Sequence, residues 1–159
     1  LPDFVAPRLG AVSNRVTVEV DVPAKASGVL YKVGGTAGGV VLYFDQGHLH
    51  YEYNAMAVAR TKLQSPQVIP PGHHRIEVDT QITAAKRAAP ADLILRVDSV
   101  EVAKATTQMT ASLAFSASET FDVGANSGSP VSLDYFDRVP FQFNGHIADV
   151  HVVYLPARP

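Results

Sequence analysis

Val40-Val41-Leu42-Tyr43-Phe44-Asp45-Gln46-Gly47-His48-Leu49-His50-Tyr51-Glu52-Tyr53 carries two different patterns on either side of a turn. Val40 to Phe44 is apolar at every position, the pattern of a strand covered on both faces, so it predicts a strand in the middle of a sheet. Asp45-Gln46-Gly47 predicts a hairpin loop, with Gly47 at the positive-φ position of a G1 bulge. From His48 the chain alternates. Leu49, Tyr51 and Tyr53 fall on one face and His48, His50 and Glu52 on the other, as in a strand with one buried face.

Working outward, the same period of two recurs. Val16, Val18, Val20 and Val22 alternate with Thr17, Glu19 and Asp21, and Pro23 ends the run. Gly28 to Val33 and Val58 to Leu63 read as strands. Pro70-Pro71-Gly72 turns the chain into a long alternating strand with Ile76, Val78 and Ile82 opposite Arg75, Glu77, Asp79 and Gln81. Leu93 to Val97 and Val100 to Lys104 flank a tight turn at Asp98-Ser99, Thr106 to Ser118 is strand-like or irregular, and Phe143 to Tyr154 is strand again. Nowhere do ten residues carry helical spacing. About ten short strands with regular turn signals predict an all-β fold, an antiparallel β-sandwich or jelly roll. Residues 1–13 read as a lead-in or linker, 14–155 as the sandwich domain and 156–159 as a tail.

The 159 residues suffice for one domain with a single substantial core. A net charge of −2 and the lack of a polybasic run give no electrostatic reason to expect nucleic acid or anionic lipid as partner. No apolar run approaches the ~18 residues that span a bilayer. Cysteine is absent, which excludes disulfides, thiolate metal sites and cysteine nucleophiles.

The densest cluster of turn formers lies between Glu119 and Tyr135, where Gly124, Asn126, Gly128 and Pro130 stand among Ser127, Ser129 and Ser132. Long irregular connections inside a β domain are commonly functional or packed against something. The serines lack a Gly-x-Ser-x-Gly elbow and a nearby histidine, so they read as turn residues. Two metal readings stand beside plainer ones. Asp122, Asn126 and Asp134 are hard oxygen donors on a loop, as Ca²⁺ prefers, and also the residues that form Asx turns and caps. His48, His50 and Glu52 share one strand face about 7 Å apart, near enough to hold a divalent ion, and also fit a solvent face. Glu19/Asp21 and Glu77/Asp79 lie on polar strand faces and read as surface coating. Gly34 to Gly39 precedes a strand, so no helix N-terminus would meet a phosphate there. On its own chemistry the chain does not read as an enzyme.

Phe121-Asp122-Val123-Gly124-Ala125-Asn126-Ser127-Gly128-Ser129-Pro130-Val131, then Tyr135 and Pro140-Phe141-Gln142-Phe143-Asn144-Gly145-His146-Ile147, resembles the closing region of bacterial long-form arylsulfatases. Upstream, Gly28-Val29-Leu30, Leu42-Tyr43, Gly47-x-Leu49-x-Tyr51, Tyr53-Asn54, Pro70-Pro71-Gly72-His73-His74 and Val97-Asp98 fall in the order of that group, so the resemblance covers about Val16 to Val153. Asn126 departs from the usual Asp, and Ser99 from the Gly of an Asp-Gly turn.

The resemblance implies a laminin-G/concanavalin A-like lectin sandwich, the noncatalytic C-terminal domain of a sulfuric ester hydrolase. Its partner would be the catalytic sulfatase domain of the same parent chain, which would carry formylglycine and a divalent metal such as calcium. No Cys- or Ser-x-Pro-x-Arg block occurs here, so no catalytic residue or cofactor is carried over. The lack of an initiator Met at Leu1 agrees with an excised C-terminal piece. Asp122, Asn126, Ser127, Gly128, Ser129 and Tyr135 are expected to form a loop that docks on the catalytic domain. The alternative is a lectin-like carbohydrate-binding module, with Tyr51, Tyr53, Tyr135 and Phe136 as candidate glycan contacts or, on their alternation, as core.

Overall fold

The structure, a computed structural model, describes residues 1–2, 5–112, 114–115 and 118–157. In chain order its strands are β1 (Asn14–Val22), β2 (Gly28–Gly35), β3 (Gly38–Asp45), β4 (His48–Ala55), β5 (Ala59–Gln64), β6 (Gly72–Ile82), β7 (Ala91–Val97), β8 (Val100–Thr107), β9 (Thr120–Val123) and β10 (His146–Tyr154). A 3-10 turn covers Leu133–Tyr135. Two antiparallel five-stranded sheets result, the first ordered β10-β1-β6-β7-β8 and the second β5-β4-β3-β2-β9. Hairpins β2 to β5 and β6 to β8 supply most neighbours, while β1 enters between β6 and β10 and β9 closes the second sheet beside β2.

The core between the sheets is built by the alternation read from the sequence. Val16, Val18, Val20, Ile76, Val78, Leu93 and Leu95 from the first sheet meet Tyr31, Val33, Leu42, Phe44, Leu49, Tyr51 and Tyr53 from the second. Gly47 adopts φ 80°, as the hairpin requires, and Gln46 before it takes φ 50°. Two features differ from the sequence expectation, at the lead-in and at the last strand, whereas the 106–118 stretch, read as strand-like or irregular, is compatible with it. The lead-in is part of the domain, since Ala6 and Leu9 are buried in the core and the Tyr53 hydroxyl donates to the Gly10 carbonyl at 2.7 Å. The last strand begins at His146, because Phe143 turns inward to stack on Phe44. The Thr106 to Ser118 stretch is strand only to Thr107, and within it Leu113, Ser116 and Ala117 lie outside the described residues.

β3 is central in its sheet and buried on both faces, as its unbroken apolar run predicts. One face belongs to the inter-sheet core. The other is covered by the chain's own segment 124–143. Val131, Tyr135 and Phe141 from that segment close over Val29, Val41 and Tyr43 as a second, smaller apolar cluster on the outer face of the second sheet. Burying side chains of this size contributes roughly 1.5–3 kcal/mol each, enough to hold an irregular segment against a sheet.

Candidate functional site

The outer face of the second sheet gathers most of the side chains singled out from the sequence. Register places Asp122, Lys32, Val41, Glu52 and Lys62 in one row across β9, β2, β3, β4 and β5. The next row runs Val29, Tyr43, His50 and Gln64. The covering segment lies over the middle of both rows, so the charged residues divide into a buried set and an open margin.

At the β9 side, Lys32 is fully buried. Its ammonium donates to the Gly34 carbonyl at 3.0 Å and to Thr120 Oγ1 at 3.4 Å, and it lies 3.3 Å from Asp122 Oδ2. A buried charge must be paired to be tolerated, and Asp122 supplies the pairing. Partial burial pushes the Asp122 carboxyl up, but hydroxyl donors on Ser127 and Thr120, with the Lys32 charge, outweigh it and hold the group below its ordinary value.

Inside the loop, Asn126 is the hub. Its Oδ1 accepts from the Tyr135 hydroxyl at 2.6 Å and the Val131 amide at 3.2 Å, while its Nδ2 donates to the Ser127 and Ser129 carbonyls. The three loop serines all donate to carboxylates: Ser127 to Asp122 at 2.5 Å, Ser129 to Glu119 at 2.7 Å and Ser132 to Glu52 at 2.7 Å. Ser132 also caps the 3-10 turn by accepting from the Asp134 amide. These hydroxyls hold the loop; none is poised as a nucleophile. Gly128 takes φ 75°, so the backbone conformation favours glycine, while an added Cβ would meet only the movable end of the Glu119 side chain.

The open margin lies along β4 and β5. Tyr43 and His50 stack with ring centroids 4.9 Å apart and planes 6° from parallel. Tyr135 and Phe141 meet the edges of Tyr43 at 5.2 and 6.1 Å. Two ion pairs border this aromatic floor. Lys62 donates to Asp134 at 2.9 and 3.0 Å, and Arg138 makes a two-point pair with Asp45 at 2.9 and 3.0 Å while its guanidinium lies 4.5 Å over the Phe141 ring. Burial lowers the His50 pKa, which keeps the ring neutral near pH 7; burial likewise raises that of the Tyr43 phenol. The Arg138 guanidinium holds the Asp45 carboxyl below the usual range.

Most residues of the two metal readings have other partners in this structure. Asp122 is taken by Lys32 and Ser127, Asn126 by Tyr135 and Val131, and Asp134 by Lys62. Glu52 is 1% exposed and gripped by Arg60 and Ser132 at 2.7 Å each, while His48 Nδ1 lies 3.0 Å from the Ser65 carbonyl. Among the described residues no three His, Asp or Glu side chains are placed to hold a metal ion. The side chains of the expected docking loop divide between the interior and solvent. Asn126 and Tyr135 face inward, Ser127 and Gly128 are exposed, and the exposed large apolar side chains of residues 122–139 are Val123, Leu133, Phe136 and Val139. Of the four aromatic glycan candidates, Tyr51, Tyr53 and Tyr135 are buried and only Phe136 is exposed. The Tyr43–His50 stack escaped the sequence because its floor comes from residues about ninety positions away. The one available signal was that Tyr43 and His50 would be register partners in the 45–47 hairpin.

On the first sheet, Glu77 and Asp79 are buried, not surface coating as the alternation suggested, because the arginines of neighbouring strands cover them. Asp79 binds Arg15 and Arg96, and His73 bridges Glu19 and Asp21.

No protein-family model and no curated protein sequence matches the chain. Solved structures match on fold. Domains LG4-5 of the mouse laminin α1 chain superpose with a TM-score of 0.69 at 15% identity, over 95% of this chain and 38% of that one. The LG1-3 region of the laminin α2 chain gives 0.65 at 15% identity, over 95% and 30%. A heptameric SAP-like pentraxin from Limulus polyphemus gives 0.58 at 12% identity, over 96% and 70%. The chain thus spans well under half of the two laminin fragments. At such identities the fold is what is shared: a jelly-roll sandwich of the laminin G, lectin-like type.

Proposed function

We propose that this chain is a noncatalytic module that holds a carbohydrate at the open margin of its second sheet, beside the Tyr43–His50 stack. The observation that carries this is the stack itself: the half-exposed His50 ring, backed by the buried Tyr43 ring and bordered by polar side chains on both sides. A sugar ring needs an apolar plane to lie on and a few fixed polar groups to orient its hydroxyls. His50 offers the plane; Lys62, Asp134 and Gln64 offer the groups. The lectin-like sandwich supports the reading at the level of fold. Calorimetric titration with a panel of oligosaccharides tests it. His50→Ala and Lys62→Ala are each expected to weaken binding by about tenfold, the loss of one good contact, with little change in melting temperature. Failure of the unaltered chain to bind any of the panel at millimolar concentration would end the proposal.

A second reading has its own observation. The motif that resembles arylsulfatases, from Asn126 to Val131 with Tyr135 and Phe141, consists of the residues that build the cover over the second sheet. This favours a C-terminal accessory domain of an arylsulfatase-type hydrolase, with the exposed Leu133, Phe136 and Val139 turned toward the catalytic domain. Formylglycine and a divalent metal would then belong to that domain. The coding sequence upstream of Leu1 decides the matter: a Cys- or Ser-x-Pro-x-Arg block is expected, and an unrelated domain there would refute it.

A further inference from the structure

We infer that the cavity adjoining this margin receives an anionic substituent of the carbohydrate, a sulfate ester or a carboxylate, with Lys25 as the recognising charge; this rests on the carbohydrate reading above. The cavity measures about 410 Å³ and is lined by Lys25, Ser27, Asp45, Gln46 and Arg138. It is continuous with the proposed binding margin, because Asp45 and Arg138 border both and Arg138 lies over Phe141, which packs on Tyr43.

Its charge is positive after pairing. Arg138 and Asp45 cancel through their two-point contact, and Arg138 also donates to the Asp134 carbonyl at 2.9 Å, so that pair is fixed. Lys25 has no carboxylate ion-pair partner among the described residues, and it is exposed. The remaining groups are a hydroxyl on Ser27 and an amide on Gln46, which can both donate. Three kinds of donor with one uncompensated cation suit an oxyanion, whose oxygens only accept.

The walls are also built in advance. Lys25 and Gln46 both adopt the left-handed backbone, at φ 55° and 50°, where side chains other than Gly, Asn and Asp are uncommon. Four hydrogen bonds hold them so. Asn144 Nδ2 donates to the Lys25 carbonyl, its Oδ1 accepts from the Ser27 amide, its own amide donates to the Ser27 carbonyl, and the Gly47 amide donates to the Ala26 carbonyl, all at 3.0–3.1 Å.

Three glycosaminoglycan hexasaccharides of one backbone provide the test: sulfated, desulfated with its uronates intact, and desulfated with the uronates reduced to neutral sugars. Affinities are measured at low salt for the unaltered chain, Lys25→Gly and Lys25→Arg. Glycine accepts φ 55°, so Lys25→Gly removes the charge without threatening the fold. The neutral sugar is expected to bind all three proteins equally. A charged form should bind the unaltered chain about tenfold tighter, lose that margin in Lys25→Gly and keep it in Lys25→Arg. Preference for the sulfated form identifies a sulfate site and preference for the uronate form a carboxylate site. Equal affinity for all three sugars, or a preference that survives Lys25→Gly, overturns this inference and leaves the carbohydrate reading standing. Binding of none overturns both.

Discussion

The Tyr135 hydroxyl donates to Asn126 Oδ1 at 2.6 Å, and with that bond each polar atom of the buried Asn126 side chain is engaged. Both amide hydrogens point at carbonyls, those of Ser127 and Ser129. The arylsulfatase-like pattern has Asp at this position, but here a carboxylate would set an oxygen against two carbonyl oxygens. Asn126→Asp is therefore expected to lower stability by about 2–3 kcal/mol in urea unfolding, more than the ~1 kcal/mol expected for Tyr135→Phe, which leaves the Val131 amide bond in place. An Asp variant as stable as the parent would mean the loop repacks freely.

Ser99 takes φ 70° and Asp98 φ 50°, so the β7–β8 turn holds two consecutive residues in the left-handed region. The two are not equivalent. Asp98 is anchored, its carboxylate accepting from the Arg75 amide at 2.9 Å and contacting His74 at 2.6 Å, whereas the Ser99 hydroxyl has no such bond among the described residues. Ser99→Gly should raise stability by about 0.5–1 kcal/mol, since glycine removes most of the 1–2 kcal/mol strain but loses more entropy on folding. Asp98→Gly should lower it, because the two bonds go with the side chain. Thermal melts of the pair check the contrast in sign.

These turns and the strand pairs around them were legible in the sequence because they are local: an alternation of Val16, Val18 and Val20, or two residues between β-runs, states its own geometry. The unbroken apolar run of Val40 to Phe44 likewise announced a strand covered twice. What covered it was not legible. Val131, Tyr135 and Phe141 lie some ninety residues further on, and nothing in their spacing says that they fold back over Tyr43 instead of facing another domain. The same distance hid the partners of the polar candidates. Glu52 looked available beside His48 and His50 until Ser132 and Arg60 were seen to claim it.

Two histidines should give pH dependences of opposite sign. Hydrogen bonds to Asp21 and then Glu19 raise the His73 pKa above its unfolded value near 6.5. Its contribution is thus complete below about pH 6.5 and is lost as pH rises through the raised value. For His50, burial depresses the pKa, so its contribution is complete above about pH 6.5 and is lost as pH falls toward the depressed value. Urea midpoints at pH 5.5 and 8 should show His73→Gln most harmful at the lower pH and His50→Gln most harmful at the higher. Because His73 is exposed, high salt should shrink its difference and leave that of His50 nearly intact. Imidazole NMR titrations give the two pKa directions independently; a His73 value at or below the unfolded one contradicts the bridge.

Lys32 and Asp122 stand directly opposite each other on β2 and β9, and their pairing is what allows a lysine with no exposed surface on the outer face of a sheet. The same carboxylate receives the Ser127 amide and hydroxyl, so it joins the sheet to the start of the covering loop. Removing one partner of such a pair leaves the other buried and uncompensated, which costs more than the pair contributes. Asp122→Asn keeps the acceptor for Ser127 but strips the charge, and should cost about 3 kcal/mol, with faster amide exchange at Ser127. Lys32→Met fills the space and strips the other charge, at a similar cost. The double variant should cost little more than either alone, with a coupling of about 2–3 kcal/mol in a double-mutant cycle. Additive costs would mean that Lys32 is satisfied by the Gly34 carbonyl and Thr120 without Asp122, and that the loop is held by its apolar side chains alone.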